Sequence, residues 1–261
     1  MFAPRAAASA PGAIMTCLHQ EHPLTVLAGA TRDVPVQISC WLKWMSDMTA
    51  ADNLCEYELH MVLRPPTTNV TKRRIHWYKL DYIEETLRRL PDGAHLIYSD
   101  LDVLPIRPYS KLLESKDASG HSVLGRDAVF MRVPNASKAS KRCSVNAGFF
   151  LMRASPAVRT LIVAWRAALR EGEGDQLALN RVLQNNASSS HSTVHSEYRA
   201  VDWHVFERRT IAGLEKEVLP GTVAYHAVMA MPGASKNQKL LRVWNRTRAF
   251  SAHGAMVRWC T

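Results

Sequence analysis

Residues 98–108, YSDLDVLPIRP, carry the strongest indication of how this chain folds. The apolar run AHLIY is typical of a buried strand, yet two aspartates one residue apart follow it almost at once. Side chains alternate along an extended segment, so Asp100 and Asp102 are expected to point to one side and Leu101 to the other. Two such carboxylates can share one hard divalent ion, directly or through water. The alternative is that both are turn residues ahead of the prolines, where aspartate is common.

Strands and helices alternate along the rest of the chain. Patterns typical of strands occur in HPLTVLAGATRDV (22–34), CEYELHMVL (55–63), VNAGFFLMR (145–153) and TVAYHAVMA (222–230). Helical spacing occurs in PVQISCWLKWMSDM (35–48), HWYKLDYIEETLRRL (76–90), residues 156–170 and GDQLALNRVL (174–183). This alternation predicts an α/β fold with a mostly parallel central sheet flanked by helices. Ligands of such sheets bind beyond the carboxyl ends of the strands, which is where the two aspartates lie.

Three segments are predicted to lie outside the regular elements, and the last predicted strand leads into a basic tail. The first twenty residues are rich in alanine, serine and proline and are interpreted as a loose tail, which leaves residues 21–261 as a single domain. Residues 115–141 are polar, basic and without periodicity, which predicts a long surface excursion. Residues 185–192, NNASSSHS, are predicted to be a loop, and a basic tail starts at Pro232.

Composition limits the class of protein. The chain has 261 residues, 47% of them hydrophobic, which suits one large domain with a substantial core. The formal net charge of +10 predicts an anionic partner: nucleic acid, an acidic membrane or a phosphorylated small molecule. No apolar run approaches the roughly 18 to 20 residues of a membrane helix, so the chain is expected to be soluble. The five cysteines form no C-x-x-C pair, so no zinc cluster is predicted.

Four segments resemble one enzyme family in the same order. SDLDVLPIRPY resembles the D-x-D segment of nucleotide-sugar-dependent glycosyltransferases of the GT-A fold. VNAGFFLMRASPAVRTLIVAW is similar to their N-x-G-F strand and following helix, GDQLALNRVL to their D-Q…N helix, and YHAVMAMPGASKNQKLLRVW to their closing H…G…K…W segment. The resemblance is strongest to the nucleotide-diphospho-sugar transferases of glycosyltransferase family 77 and covers roughly residues 70 to 245. Four motifs in order are much more specific than one.

The resemblance implies roles for particular residues. It implies a GT-A, Rossmann-like sheet and a metal site formed by Asp100, Asp102 and His226. Mn²⁺ or Mg²⁺ would suit these ligands, and the imidazole favours Mn²⁺. The implied donor-binding residues are Ala28, Gly29, Ala30 and Thr31 after the first strand, with Lys79, Asp100, Leu101, Asn146, Gly148, Lys236 and Lys239. The implied catalytic residues are Asp175 and Gln176, beside the reacting sugar.

The activity that the resemblance implies is metal-dependent transfer of a hexosyl or pentosyl group. The donor is expected to be a nucleoside diphosphate sugar, uridine-linked, and the acceptor a hydroxyl of a glycan or glycoprotein. Retention of anomeric configuration is expected. The compartment is left open: the resemblance suggests the Golgi lumen, whereas the missing membrane anchor suggests the cytoplasm.

Two other functions fit the same sequence. The charge and the KRR cluster at 72–74 also suit a nucleic-acid-binding protein, although no RNA-binding or DNA-binding motif is present. A non-catalytic glycan-binding member of the same fold is the other alternative, because a fold does not fix a function.

Overall fold

A seven-stranded mixed sheet forms the centre of the protein. The computed structural model describes residues 15–17, 24–31, 58–62, 72–133, 145–188, 201–207, 210–213, 217–227 and 236–247. The strands are β1 (Met15–Cys17), β2 (Leu24–Thr31), β3 (Glu58–Val62), β4 (His95–Ser99), β5 (Val103–Pro105), β6 (Ala128–Arg132), β7 (Val145–Arg153), β8 (Trp203–Val205), β9 (Ile211–Ala212) and β10 (Ala224–His226). The helices are α1 (Lys72–Arg89), α2 (Ser110–Leu113), α3 (Pro156–Ala168), α4 (Asp175–Ser188) and α5 (Lys236–Thr247).

The α/β class predicted from the sequence is confirmed. The order in the central sheet is β1-β2-β4-β7-β6-β8, and β3 also pairs with β2. The pairs β2–β3, β2–β4 and β6–β8 are parallel, as the alternation of strands and helices predicts. The pairs β1–β2, β4–β7 and β6–β7 are antiparallel, because β7 runs against both of its neighbours and β1 runs against β2. The sheet is therefore mixed rather than mostly parallel.

Helices α1, α3 and α4 pack on one face of the sheet, and α2 with strands β5, β9 and β10 packs on the other. Along β4, Leu96 and Tyr98 pack in a cluster with apolar residues of α1, α3 and α4, whereas Ile97 packs in a second cluster on the opposite face. Every residue of β4 is buried, which is expected of a strand with cover on both sides. Trp165 of α3 is fully buried and meets Phe150 of β7 edge-on. The side chains of these strands therefore contribute to two hydrophobic clusters, one on each face of the sheet.

The predicted helix after Ser155 is confirmed. Ser155 has an extended backbone, and its hydroxyl accepts a hydrogen bond from the backbone N–H of Val158. Pro156 occupies the first turn, where its missing N–H costs nothing. The apolar positions Val158, Leu161, Ile162 and Trp165 are all buried. Cap, proline and periodicity agree, so this helix could be located from sequence alone.

Several predicted boundaries are wrong. Met15–Cys17 belong to the predicted loose tail but form β1, because a short β-favouring run there pairs with the edge of β2. Strand β6 lies inside the predicted excursion of residues 115–141, since the run AVFM is buried between β7 and β8 but is too short to show a period. Helix α4 extends through Ser188 into the predicted loop, and the predicted basic tail contains α5. The predicted helix at 35–48 lies outside the described residues.

A second, three-stranded sheet has the order β5-β10-β9. His226 of β10 pairs with Val103 of β5, directly after Asp102 in the chain. Helix α5 packs on this sheet through Leu240 and Val243. The small sheet thus brings the late part of the chain to the D-x-D segment. Within the part of the chain that the structure describes, no helix is long and apolar enough to cross a bilayer.

Acid is expected to weaken a network around Asp117. Burial opposes ionisation of this aspartate, but hydrogen bonds from the backbone N–H groups of His121 and Ser119 and from Arg126 outweigh it and lower its pKa. Because the pKa is lower in the folded than in the unfolded protein, the stabilisation is complete above the ordinary value and is lost as pH falls below about 4. Arg126 also binds Asp202, which ties this loop to the start of β8.

This expectation can be measured with Asp117→Asn. Urea midpoints of wild type and variant should differ most above pH 5 and converge towards pH 3, since the variant lacks the titrating carboxylate. A constant difference over that range would contradict the assignment of the acid sensitivity to Asp117.

Candidate active site

The two aspartates of the D-x-D segment lie at the carboxyl end of β4, where the chain turns into β5. The backbone N–H of Asp100 donates to the carbonyl of Gly148 at 2.8 Å, and the backbone N–H of Val103 donates to the carbonyl of Asp100 at 3.1 Å. His226 Nε2 lies 3.1 Å from Asp102 Oδ1. Asp100, Asp102 and His226 each offer one ligand atom, and these atoms lie within 4.8 Å of one another. The three predicted metal ligands are thus brought together.

These three residues fit a divalent cation. His226 is buried, and its Nδ1 has no hydrogen-bond partner among the described residues, which is an unusual state for a buried imidazole nitrogen. Burial raises the pKa of Asp100 despite the nearby Lys79, and repulsion from Asp102 adds to the rise. Burial is the main cause of this rise, and a bound cation would stabilise the charged form of the carboxylate. Two carboxylates and one imidazole are a donor set suited to Mn²⁺.

The absence of a side chain at Gly148 leaves space for the side chains of Asp100 and His226. A Cβ atom at this position would lie 2.3 Å from His226 Cε1, 2.6 Å from Asp100 Oδ2 and 3.0 Å from Asn146 Oδ1. The first two distances are shorter than real Cβ contacts, so any other residue here would require the side chains of His226 and Asp100 to move. The sequence predicts that this glycine permits close approach to the backbone. In the structure the groups that approach are side chains of the protein itself.

A bulge in β7 supplies backbone groups to the site. Met131 of β6 pairs with Asn146, but its neighbour Phe130 pairs with Phe150, so residues 147–149 have no partner in β6. Two polar groups of Gly148 are used within the site: its carbonyl receives the N–H of Asp100, and its own N–H donates to Asn146 Oδ1 at 2.7 Å. Bulges commonly re-aim groups beside functional sites. Asn146 is buried, and its predicted contact with the sugar stays a prediction.

Lys79 joins this bulge to the start of α4. Its ammonium donates to the carbonyl of Ala147 at 2.6 Å and lies 2.7 Å from Asp175 Oδ2 and 3.6 Å from Asp100 Oδ1. Burial would lower the pKa of Lys79, but the two aspartates outweigh it and raise that pKa. The ammonium is therefore charged at neutral pH, and it connects a predicted metal ligand to a predicted catalytic residue.

Asp175 is held at both of its carboxylate oxygens. Lys79 approaches Oδ2, and His76, one turn earlier on α1, lies 3.1 Å from Oδ1. Burial alone would raise the pKa of Asp175, but the charge of Lys79 and the hydrogen bond and charge of His76 hold it well below its usual range. Trp165 Nε1 also donates to the backbone carbonyl of Asp175 at 2.8 Å. The carboxylate is thus a fixed negative charge.

Sequence reasoning missed His76 and Asn180. Asn180 Oδ1 accepts from the backbone N–H of Val145 at 3.0 Å, and its Nδ2 donates to the carbonyl of the same residue at 2.8 Å. This buried amide therefore fixes the strand one residue before Asn146. Asn180 is the asparagine of the quoted GDQLALNRVL motif, so a signal for it was present. The sequence contains no such signal for His76, because a histidine next to tryptophan in a helix does not by itself indicate a functional role.

The remaining predicted donor residues are less centrally placed. Ala28, Gly29, Ala30 and Thr31 were predicted to follow the first strand, and this is wrong, because they are its last four residues and pair with β3. Leu27 pairs with Tyr98, so these four residues still extend towards the edge where Asp100 lies. Leu101 is buried in the apolar core, as alternation predicts.

Three other predicted residues lie on helices near the cluster. Gln176 follows Asp175 in the first turn of α4 and is partly buried. Lys236 begins α5. Lys239 lies on the same helix and is only 7% exposed. No described acidic side chain pairs with Lys239, which leaves a buried cation on a helix packed beside the strand of His226.

Comparisons with known proteins identify the family of the chain. A family model described as nucleotide-diphospho-sugar transferase matches residues 45–249. Among solved structures, a glycosyltransferase involved in glycosylation of the major capsid of PBCV-1 has a TM-score of 0.52 at 11% identity, with 85% of this chain and 98% of that chain covered. No curated protein sequence matches the chain.

Two further structures are less similar. The glycosyltransferase GlyE of Streptococcus pneumoniae has a TM-score of 0.45 at 11% identity, covering 85% of this chain and 60% of that one. The galactosyltransferase LgtC, in complex with donor and acceptor sugar analogs, has a TM-score of 0.43 at 11% identity, covering 86% and 95%.

The fold is of the GT-A type, as in the glycosyltransferase structure with the TM-score of 0.52. The family model matches most of the length of this chain, so the chain belongs to the nucleotide-diphospho-sugar transferase family. Membership of glycosyltransferase family 77 in particular stays a prediction.

Proposed function

We propose that this glycosyltransferase moves a sugar from a uridine diphosphate sugar to a hydroxyl of a glycan or glycoprotein, with a divalent ion held by Asp100, Asp102 and His226. The observation that carries the proposal is the convergence of these three ligand atoms, within 4.8 Å of one another, at the carboxyl end of β4. Substrates of α/β sheets bind at this edge. When bound, Mn²⁺ or Mg²⁺ supplies a Lewis acid for the diphosphate.

Lys239 supports binding of the diphosphate. Burying an ammonium without a partner is costly, so a buried lysine that no described carboxylate neutralises suits an anionic ligand. Lysine is a common point-charge ligand of phosphate. Lys236 begins the same helix, and we assign it the same role. Both would stabilise the negative charge that develops on the diphosphate as the bond to the sugar breaks.

The lowered pKa of Asp175 favours a reaction that retains the anomeric configuration of the sugar. A carboxylate whose pKa lies far below neutrality is a weak proton acceptor, so it does not suit the role of general base that inversion requires. A fixed negative charge instead suits stabilisation of a positively charged, oxocarbenium-like anomeric carbon. The departing phosphate oxygen would then accept the proton of the acceptor hydroxyl. Gln176, the next residue, would bond sugar hydroxyls.

The charge distribution argues against nucleic-acid binding. Six arginines of the described residues form ion pairs with carboxylates: Arg88, Arg126, Arg153, Arg159, Arg166 and Arg181. Their charges are thereby partly neutralised within the protein. The remaining basic excess suits small phosphorylated ligands at a cluster such as α5. Steeply salt-dependent RNA binding without nucleotide-sugar binding would overturn this assignment.

The experiment that tests the proposal is ligand-induced thermal stabilisation of wild type and Asp102→Ala. A panel of nucleotides and nucleotide sugars is added with and without Mn²⁺. Ligand at about 100 times its Kd should raise the Tm of wild type by about 5–10 °C, only when metal is present, because binding stabilises the native state. The variant should lose this shift, since its site lacks one of two carboxylates.

Asp92→Ala is the matched control. Asp92 is an exposed aspartate that pairs with Arg159, away from Asp100, Asp102 and His226. The ligand-induced rise in Tm of Asp92→Ala should therefore equal that of wild type. Absence of any nucleotide-dependent shift in wild type would overturn the proposal. A shift without turnover for any acceptor would instead favour a non-catalytic glycan-binding role.

A further inference from the structure

Tyr98, the first residue of the D-x-D segment, contacts one of the proposed metal ligands. Its side chain is only 2% exposed, and its hydroxyl donates to Asp100 Oδ1 at 2.6 Å. Its ring stacks on Phe150 with the two centroids 5.1 Å apart. Packing on this face of the sheet therefore fixes the ring, and the ring fixes the position of the hydroxyl.

The hydroxyl distinguishes the two oxygens of Asp100. Oδ1 is engaged by Tyr98 and lies 3.6 Å from the ammonium of Lys79. Oδ2 faces Gly148, where His226 Cε1 borders the same space. Oδ1 is thus held by Tyr98 and Lys79, and Oδ2 faces His226. Without the hydroxyl, Oδ1 would lose the hydrogen bond that holds the carboxylate in its present orientation.

The ring of Tyr98 acts on the neighbouring cation. Lys79 Nζ lies 4.3 Å from the ring centroid, a distance at which the aromatic face attracts an ammonium. The same ammonium binds Asp175. One tyrosine therefore touches both the proposed metal ligand, through its hydroxyl, and the lysine that holds the proposed catalytic carboxylate, through its ring.

We propose that Tyr98 is a positioning residue whose hydroxyl orients Asp100 for the divalent ion. The inference rests on the proposed function, because it assigns Tyr98 a role towards the ion held by Asp100, Asp102 and His226. Outer hydrogen-bond partners of metal-ligating carboxylates fix the orientation of the ligand, and their loss typically weakens metal binding about 10–100-fold.

The test compares Tyr98→Phe with Tyr109→Phe. Tyr109 is also a fully buried tyrosine: its hydroxyl lies 3.3 Å from Ser99 Oγ, and its ring meets Phe149 edge-on on the opposite face of the sheet. Each variant loses one buried hydroxyl and keeps its ring. The Kd of Mn²⁺ is measured by calorimetry in the presence of UDP, and Tm is measured in parallel.

Tyr98→Phe is expected to bind Mn²⁺ about 10–100-fold more weakly than wild type. The Kd of Tyr109→Phe for Mn²⁺ should stay within about twofold of the wild-type value. The Tm of both variants should fall by a similar amount, because each loses one buried hydroxyl. In an Asp100→Asn background, Tyr98→Phe should have no further effect on the Kd, because the hydroxyl acts through that carboxylate. Tyr98→Leu, which also loses the ring, should additionally lower kcat by releasing Lys79.

The outcomes separate the two proposals. If wild type binds Mn²⁺ and Tyr98→Phe binds it equally well, the role of Tyr98 is overturned and the metal site stands. If Tyr109→Phe loses as much affinity as Tyr98→Phe, the effect is a general loss of packing and the role is again overturned. If wild type binds neither Mn²⁺ nor Mg²⁺ with UDP, the metal site itself is overturned, and the role of Tyr98 with it.

Discussion

Replacement of Gly148 by alanine is expected to abolish metal-dependent sugar transfer while the chain still folds. The added methyl group would lie 2.3 Å from His226 Cε1 and 2.6 Å from Asp100 Oδ2, so both ligands must move away from it. Functional constellations tolerate displacements of only about 0.5 Å. We therefore expect Mn²⁺ affinity and kcat/KM to fall by at least about 100-fold, and overpacking to destabilise the protein by about 1–3 kcal/mol.

Gly125→Ala is the matched control for this prediction. No atom lies within 4 Å of a Cβ built on Gly125, so the same substitution there should leave Mn²⁺ binding and turnover unchanged. Calorimetric titration with Mn²⁺ and steady-state kinetics on both variants check the comparison. Retention of wild-type affinity by Gly148→Ala would show that Asp100 and His226 do not need the space above this glycine.

Gly148 also illustrates what the sequence could and could not reveal about the site. The motif around it predicts close approach of a ligand to the backbone, which stays a prediction, and in the structure two side chains of the protein approach this glycine. The approaching groups, however, are Asp100 and His226, which lie far from Gly148 in the chain and reach it only through the pairing of β4 with β7 and of β5 with β10. Local patterns carry no information on such pairings, so the partners of the glycine could not be predicted without the family resemblance.

The elements predicted well are those with several agreeing local signals. Helix α3 has a serine cap, a proline in its first turn and a regular apolar stripe. Strand β7 is a nine-residue run, eight of them buried. Strand β6 is equally buried over most of its length, but its short apolar run lies in a polar, basic segment and fits no period. Its place in the sheet follows from partners on both sides rather than from its own sequence.

Positioning residues of the site were missed for the same reason. Tyr98 lies within the segment that first indicated the site, yet a tyrosine at the end of a buried strand suggests only packing. Asn180 lies within a quoted motif, and only its two hydrogen bonds to Val145 reveal what its amide does. The sequence therefore singles out groups that are expected to touch substrate and metal, but not the groups that hold them.

Replacement of Lys79 by methionine is expected to have the largest effect on stability. Its ammonium neutralises Asp175 at 2.7 Å, lies 3.6 Å from Asp100 Oδ1 and donates to the carbonyl of Ala147 at 2.6 Å. Methionine keeps much of the buried stem but leaves the carboxylates without their cation. Breaking a buried ion pair by removing one partner costs about 3–5 kcal/mol, and urea denaturation at pH 7 measures this loss.

The stability of this variant should depend on pH between 5 and 7, where the ion pair of Asp175 in wild type contributes no pH dependence. In wild type the pKa of Asp175 is lowered, so the stabilisation from its ion pair is present above the ordinary carboxylate value and is lost only at strongly acidic pH. In Lys79→Met the same carboxylate is buried beside no lysine, and its pKa should rise. Lowering the pH from 7 to 5 should therefore stabilise the variant, because protonation removes a buried negative charge that only His76 still faces.

The double variant Lys79→Met/Asp175→Asn separates stability from chemistry. Removing both charges of the pair should recover a large part of the stability lost in Lys79→Met, because no unpaired carboxylate is left at position 175. Turnover should stay as low as in Asp175→Asn alone, since the fixed negative charge beside the anomeric carbon is missing in both proteins. If activity recovers together with stability, Asp175 serves the fold and takes no part in the reaction. If neither recovers, the ammonium of Lys79 is needed chiefly by Asp100 and the bulge of β7, and Asp175→Asn alone should then keep most of the wild-type turnover.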